Sequence, residues 1–266
     1  MVVMGALNVS PESFYAGSVP VSLESLVATA LSMVEAGACI IDVGARSTAP
    51  YRCSDVTPDE ERGRLGRAVE ALAAKLPVPV SADTARATVA ETALEAGARI
   101  VNDVSGLADP AMGRVVRSHG AGVVLMAHPD VVPSPRPDPV LAVRAALAAA
   151  LERARLAGIA DEHVVLDPGI GFFRDEAVPW DEWDVRVLAG LSALSDLGRP
   201  LAVGVSRKSF IGAITGRRQP ADRLAGSLAA AALAVVNGAA LIRTHDVADT
   251  RDAVAVAERV ARASRR

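Results

Sequence analysis

The sequence predicts an α/β fold, a (β/α)8 TIM barrel occupying residues 1–266 as a single domain, and three observations carry that prediction. A phrase recurs four times in which a helical stretch ends in Gly and runs at once into an apolar segment: EAGACIIDVG (35–44), EAGARIVNDVSG (95–106), HGAGVVLMAH (119–128) and NGAALIRTHD (237–246). Four further runs share its apolar character, VVMGALNV (2–9), VPVSAD (78–83), HVVLDPG (163–169) and PLAVGVS (200–206), which makes eight. Helical patterns alternate with all of them, and no linker divides the chain. Runs apolar on both faces suit parallel strands covered by helices, and eight such units suit a closed barrel. An open doubly wound sheet is the alternative the same pattern allows.

In order, the first run leads through a long segment (8–21) to a helical pattern at 22–36, and the second through another long segment (44–58) to one at 58–75. Such lengths exceed ordinary βα loops, and long loops at that end of a barrel tend to carry function. Helical patterns at 85–96, 110–118, 138–157, 182–197, 209–236 and 248–263 complete the alternation. The proline-dense stretch DVVPSPRPDP (130–139) falls after the fifth strand and reads as a stiff, ordered excursion.

Composition narrows the function classes. The chain is 51% hydrophobic and 22% charged with a net charge of −3, which argues against disorder and leaves no basic footprint for nucleic acid. Lysine occurs only at positions 75 and 208, against 26 arginines. Cys39 and Cys53 lack a Cys-x-x-Cys spacing and read as free thiols of a reducing compartment, with a disulfide as the alternative. The first residues carry no charged leader, and no apolar run of about 20 residues occurs. A cytoplasmic location, away from membranes, is expected.

A barrel gathers its active site at the C-terminal ends of the strands. Those ends are polar throughout: Asn8, Asp42, Asp83, Asn102 with Asp103, His128, Asp167, Ser206 with Arg207 and Lys208, and Arg243 with His245 and Asp246. Any one could be a cap or turn former, a reading that fits Asp42, Asp103 and Asp246 best. Carboxylates and amides follow strands three, four and six, while cations follow strands seven and eight. Asp83, Asn102 and Asp167 suit a flat heterocycle whose ring N–H and exocyclic amine they would accept from. Ser206, Arg207, Lys208 and Arg243, with His245 beside them, suit an anion. The loop DPGIGFFR (167–174) adds glycines that permit close backbone approach and Phe172 and Phe173, either of which could wall a ligand or enter the core.

At these residues the sequence resembles the dihydropteroate synthase family. MGALNVSPESF (4–14), DVGARSTAP (42–50), VSADT (80–84), VNDVSG (101–106), LDPGIGF (166–172), GVSRKSFIG (204–212) and RTHDV (243–247) match its motifs in family order, nearly end to end. The resemblance implies a transferase of folate biosynthesis that joins 6-hydroxymethyl-7,8-dihydropterin diphosphate to p-aminobenzoate, giving dihydropteroate and diphosphate. Asp83, Asn102, Asp167 and Lys208 fall on its pterin-binding positions, with Met126 beside them. Asn8, Arg243 and His245 fall on its diphosphate and Mg²⁺ positions, Asn8 offering the metal a hard oxygen ligand. Ser47, Thr48, Pro50, Phe172 and Ser209 fall near its aminobenzoate pocket. A homodimer is expected, the Ala-rich segments 224–236 and 259–263 being able to pack closely.

The first two loops depart from the family. Tyr15, Ala16, Gly17 and Ser18 stand where Ser-Asp-Gly-Gly is usual. Ala45 and Arg46 precede Ser47 and Thr48 where Gly-Glu is usual, and Ala49 replaces an arginine. The expectation is an active synthase with a remodelled aminobenzoate site, Arg46 supplying the missing guanidinium, and reduced sulfonamide sensitivity. The alternatives are a non-catalytic pterin-binding paralogue and a methyltetrahydrofolate:corrinoid methyltransferase on the same kind of barrel; a diphosphate site argues against the latter.

Overall fold

The computed structural model describes residues 1–10, 22–47, 55–174 and 177–263. Eight parallel strands, β1 (Val2–Asn8), β2 (Ile40–Gly44), β3 (Val80–Asp83), β4 (Ile100–Asp103), β5 (Gly122–Met126), β6 (Val164–Asp167), β7 (Ala202–Gly204) and β8 (Leu241–Thr244), form one sheet in the order β6-β5-β4-β3-β2-β1-β8-β7. A bridge between Leu166 and Leu201 joins its two ends, so the sheet is a barrel and not the open alternative.

The connecting helices are α1 (Leu23–Glu35), α2 (Pro58–Ala73), α3 (Ala87–Glu95), α4 (Met112–Ser118), α5 (Pro139–Leu156), α6 (Trp180–Ala189), α7 (Ser209–Thr215), α8 (Leu224–Val236) and α9 (Val247–Ala263). Local chemistry sets their limits. Ser22 and Thr57 close capping boxes on α1 and α2, and Asp138 caps α5 with Pro139 at its first position. The glycines of the recurring phrase, Gly37, Gly97, Gly120 and Gly238, all have positive φ, the left-handed step that turns a helix end into the next strand. The single helix expected over 209–236 is two, because Gly216 ends α7 with φ 72° and Pro220 opens a 3-10 turn before α8. The stretch after β5 is ordered: a 3-10 turn spans Pro129–Val131, and Arg136 ties it down by donating to the carbonyls of Val132 and Pro129.

Two cores result. The larger fills the space between strands and helices. The smaller, Met4, Val124, Ala202 and Leu241 with Ile40, Ile100 and Val165, fills the interior floor of the barrel. Side chains two residues apart along a strand share a face. One step toward the strand ends, the same inward rows therefore read Asp42 above Ile40, Asn102 above Ile100, Met126 above Val124, Asp167 above Val165 and Arg243 above Leu241. The polar mouth is the continuation of the apolar floor.

Candidate active site

Arg243 occupies the centre of the mouth. Its Nε donates to Asp42 Oδ2 at 2.7 Å and its Nη2 to Asp83 Oδ2 at 2.9 Å, and Asn102 Nδ2 donates to the same Asp42 oxygen at 3.1 Å. Burial lowers the guanidinium's proton affinity, but Asp42 and Asp83 outweigh it and hold the group protonated. One cation thus serves two buried carboxylates. Burial pushes the Asp83 carboxyl up to about 7 against the pull of Arg243, with Asp42 and Glu61 adding to the rise. Among the described residues, Asp42 Oδ1 and Asp83 Oδ1 are buried without a hydrogen-bond partner, so acceptor capacity is left for a ligand.

The side opposite is built on the turn after β6. Asp167 Oδ1 accepts from the Gly169 amide at 2.7 Å, and burial raises its carboxyl against that bond and the charges of Lys208 and Arg243. Lys208 Nζ stands 4.7 Å from the centre of the Phe172 ring. Burial lowers this ammonium to about 8, with Asp167 and Asp184 opposing. Of the two phenylalanines, Phe173 is wholly buried and stacks on Trp183, with centroids 4.9 Å apart, whereas Phe172 faces the mouth.

His245 Nδ1 lies 3.0 Å from Ser206 Oγ, which also accepts from the His245 amide. In the tautomer in which Ser206 donates to Nδ1, the ring proton is on Nε2. Burial, then Arg243, Arg207 and Lys208, depress the imidazole to about 3, so it is a neutral donor near pH 7.

Several expectations are corrected. Among the described residues Asp42 bonds no loop amide; it lies on the inward row and fixes Arg243 and Asn102. Asp103 does take the loop role, accepting from Ser105 and from the Leu107 amide. Arg207 is absent from the anion side: Asp246 takes it bidentately at 2.6 and 2.9 Å, and its Nη1 donates to the carbonyls of Pro220 and Ala221. The expected division of charge is also less complete, since Arg243 reaches across to the carboxylates of β2 and β3.

Asn8 ends β1 in register with Gly44, and Met126 ends β5 beside Asp167. Ser209 opens α7 and accepts from Arg174 Nη2 at 3.1 Å. Ser47 follows Arg46 after β2. Thr48 and Pro50, with Cys53 and the altered stretch 15–18, lie outside the described residues.

Two buried acids escaped the sequence reading. Glu61 on α2 accepts from Thr84 Oγ1 at 2.6 Å and Arg86 Nη1 at 2.8 Å and pairs with Arg46 Nε at 3.3 Å. Asp184 on α6 accepts from the Gly171 amide at 2.8 Å. Both sit on the apolar stripe of their helices, Glu61 with Leu65, Ala68, Val69 and Leu72, and Asp184 with Val187 and Leu188. A carboxylate on such a stripe was the available signal. Arg46, Ala85, Val104, Ser105, His128, Pro129 and Phe172 line a cavity of about 220 Å³ beside the mouth.

This arrangement can hold a flat, donor-rich ring between carboxylates and an anion beside a permanent cation. Residues 4–245 match the family model for pterin binding enzymes. The chain is 39% identical over 261 residues to dihydropteroate synthase of Escherichia coli (strain K12), covering 96% of this chain and 90% of that protein. The chain belongs to the dihydropteroate synthase family. Among solved members of the family, it is similar to Xanthomonas albilineans dihydropteroate synthase with 4-aminobenzoic acid, with a TM-score of 0.88 and 39% identity over 97% of this chain and 92% of that one. It is also similar to the Clostridium difficile dihydropteroate synthase crystallised in the presence of pteroic acid, with a TM-score of 0.88 and 36% identity over 98% and 96% of the two chains. Dihydropteroate synthases are transferases of folate biosynthesis.

Proposed function

We propose that this chain condenses 6-hydroxymethyl-7,8-dihydropterin diphosphate with p-aminobenzoate to give dihydropteroate and diphosphate, using Asp83, Asn102, Asp167 and Lys208 for the pterin and Arg243 and His245 for the diphosphate. The observation that carries the reading is the Asp42–Arg243–Asp83 triad: a half-buried guanidinium already bound to two buried carboxylates, each with an acceptor atom unused among the described residues.

The chemistry asks little of the second substrate. Loss of diphosphate from the pterin methylene leaves a cation that the electron-rich ring delocalises, so bond cleavage can precede attack, and the arylamine needs no activating base. Asp83 and Asp167 favour the cationic pterin, and Lys208 lies against Phe172 on the same side. Arg243 and the neutral Nε2–H of His245 supply fixed donors to the departing anion. Once the C–O bond to diphosphate has broken, the amine nitrogen attacks the cationic methylene carbon to form the C–N bond, and its proton leaves to solvent.

Among the described residues no group of three His, Cys, Asp or Glu could hold a metal ion. Asn8 would hold Mg²⁺ beside the diphosphate as a neutral oxygen ligand, a donor type suited to this hard cation. Bound there, the metal would neutralise charge on the leaving group.

The aminobenzoate side is remodelled in this reading. Arg46, anchored on buried Glu61, lines the cavity beside Phe172 and stands in for the arginine replaced by Ala49; the family resemblance assigns Ser47, Thr48, Pro50 and Ser209 to the same substrate. Sulfonamides imitate aminobenzoate, so reduced sensitivity accompanies the change. The enzyme works in the cytoplasm, and no described helix is long and apolar enough to cross a membrane. It pairs as a homodimer through α8 and α9, which pack side by side and expose Leu233, Val236, Val256 and Val260.

Incubation with dihydropterin diphosphate, Mg²⁺ and p-aminobenzoate tests the proposal. Equal amounts of dihydropteroate and diphosphate are expected; tight pterin binding without product would overturn it in favour of a non-catalytic binding protein.

A further inference from the structure

Asp184 is fully buried, lies outside the ring of strand ends, and is not needed to cap its helix, since it falls within α6. Its Oδ1 accepts from the Gly171 amide at 2.8 Å, while Oδ2 is buried without a hydrogen-bond partner among the described residues. Gly171 has φ +87°, a conformation that favours glycine, and a Cβ there would stand 3.1 Å from Lys208 Cδ and 3.4 Å from its Nζ. The glycine is therefore pressed between the carboxyl of α6 and the stem of the lysine. The next residue, Phe172, supplies the ring on which the ammonium stands.

We propose that Asp184 is a positioning residue for Lys208: by holding the Gly171 amide it fixes the turn against which the lysine stem packs, and so sets where the ammonium meets the pterin. The inference rests on the synthase reading of the mouth. Electrostatics agree with the geometry. The carboxyl is pushed up to about 6 by burial, against the Gly171 amide, Lys208 and Arg174, with Asp181 adding to the rise. Above that pH it is an anion next to Lys208. The charged groups facing Lys208 are Asp167 from β6, Asp184 from α6, Arg174 from the turn between them and Arg243 from β8, with the neutral His245 beyond.

Steady-state kinetics on the full chain with D184A, D184N and G171A, alongside thermal unfolding, test it. D184A and G171A are each expected to raise KM for dihydropterin diphosphate about tenfold while kcat changes less than about threefold, and the double variant to be no worse than either. D184N keeps an acceptor for the Gly171 amide but loses the charge. Its KM should match the parent at pH 6.5, and its alkaline limb, set in the parent by Lys208 near 8, should move to lower pH. A purely structural role would lower Tm and leave both KM and the limb in place, which would overturn the proposal, as would additive D184A and G171A effects. Should D184A fail to fold, G171A and the D184N limb decide the matter. A parent that makes no dihydropteroate defeats the synthase reading; an active parent with unaltered variants defeats the Asp184 assignment alone.

Discussion

Arg243 Nη2 donates to Asp83 Oδ2 at 2.9 Å across the mouth of the barrel, so the residue assigned to the leaving group and a residue assigned to the pterin ring are directly bonded before either substrate arrives. The bond links the two halves of the site electrostatically. Asp83 must be ionised to accept from both Arg243 and a pterin N–H, and its carboxyl stands at about 7. Pterin affinity should accordingly rise with pH through about 7 and fall again as Lys208 deprotonates near 8; fluorescence titration across pH 5.5–9 checks this, and D83N should lack the acid limb.

Stability should follow the opposite course at this residue. A carboxyl whose folded value is raised contributes fully below its unfolded value near 4 and loses that contribution as pH rises through about 7. The Tm of the ligand-free parent relative to D83N should therefore decline across this window, which calorimetry at closely spaced pH values would reveal.

His245 is held neutral far below its ordinary range, so no kinetic limb near pH 6.5 should arise from it. Replacement by Gln keeps a donor and should retain more activity than replacement by Ala, which should lower kcat about a hundredfold by removing a donor to the developing anion. Comparing kcat for the two variants at pH 7.5 tests the donor role.

Arg46 and Glu61 separate a substrate effect from a stability effect. Arg46→Ala should raise KM for p-aminobenzoate with KM for the pterin substrate unchanged. Glu61→Ala leaves the guanidiniums of Arg46 and Arg86 and the hydroxyl of Thr84 without their shared acceptor, and should lower stability by about 3 kcal/mol in urea denaturation.

The neighbouring phenylalanines should divide in the same manner. Phe173→Ala empties a fully buried site stacked on Trp183 and should cost about 3–5 kcal/mol. Phe172→Ala removes the ring under Lys208 and should raise substrate KM with a nearly unchanged denaturation midpoint.

Much of this was legible in the sequence because barrel chemistry follows strand periodicity. The four glycine-ended phrases marked helix ends, and the apolar runs ended in the residues that line the mouth. The roles of Asp42 and Arg207 were not legible. Both belong to strand-end polar clusters, and only the inward row decides that Asp42 meets Arg243 while Arg207 turns away to Asp246. Glu61 and Asp184 were harder still: each acts through a contact with a residue distant in the chain or on another element, Thr84 and Gly171 respectively. The break within 209–236 was missed because the apolar periodicity on either side masked Gly216 and Pro220.

The proposed reaction depends most on the two strand-end carboxylates, Asp83 and Asp167, holding the pterin. Calorimetric titration of dihydropterin diphosphate with Mg²⁺ into the parent, D83N and D167N at pH 7.5 measures it directly. At least a tenfold loss of affinity, about 1.4 kcal/mol, is predicted for each variant with the fold intact by circular dichroism. Near-parent affinity in both would contradict it.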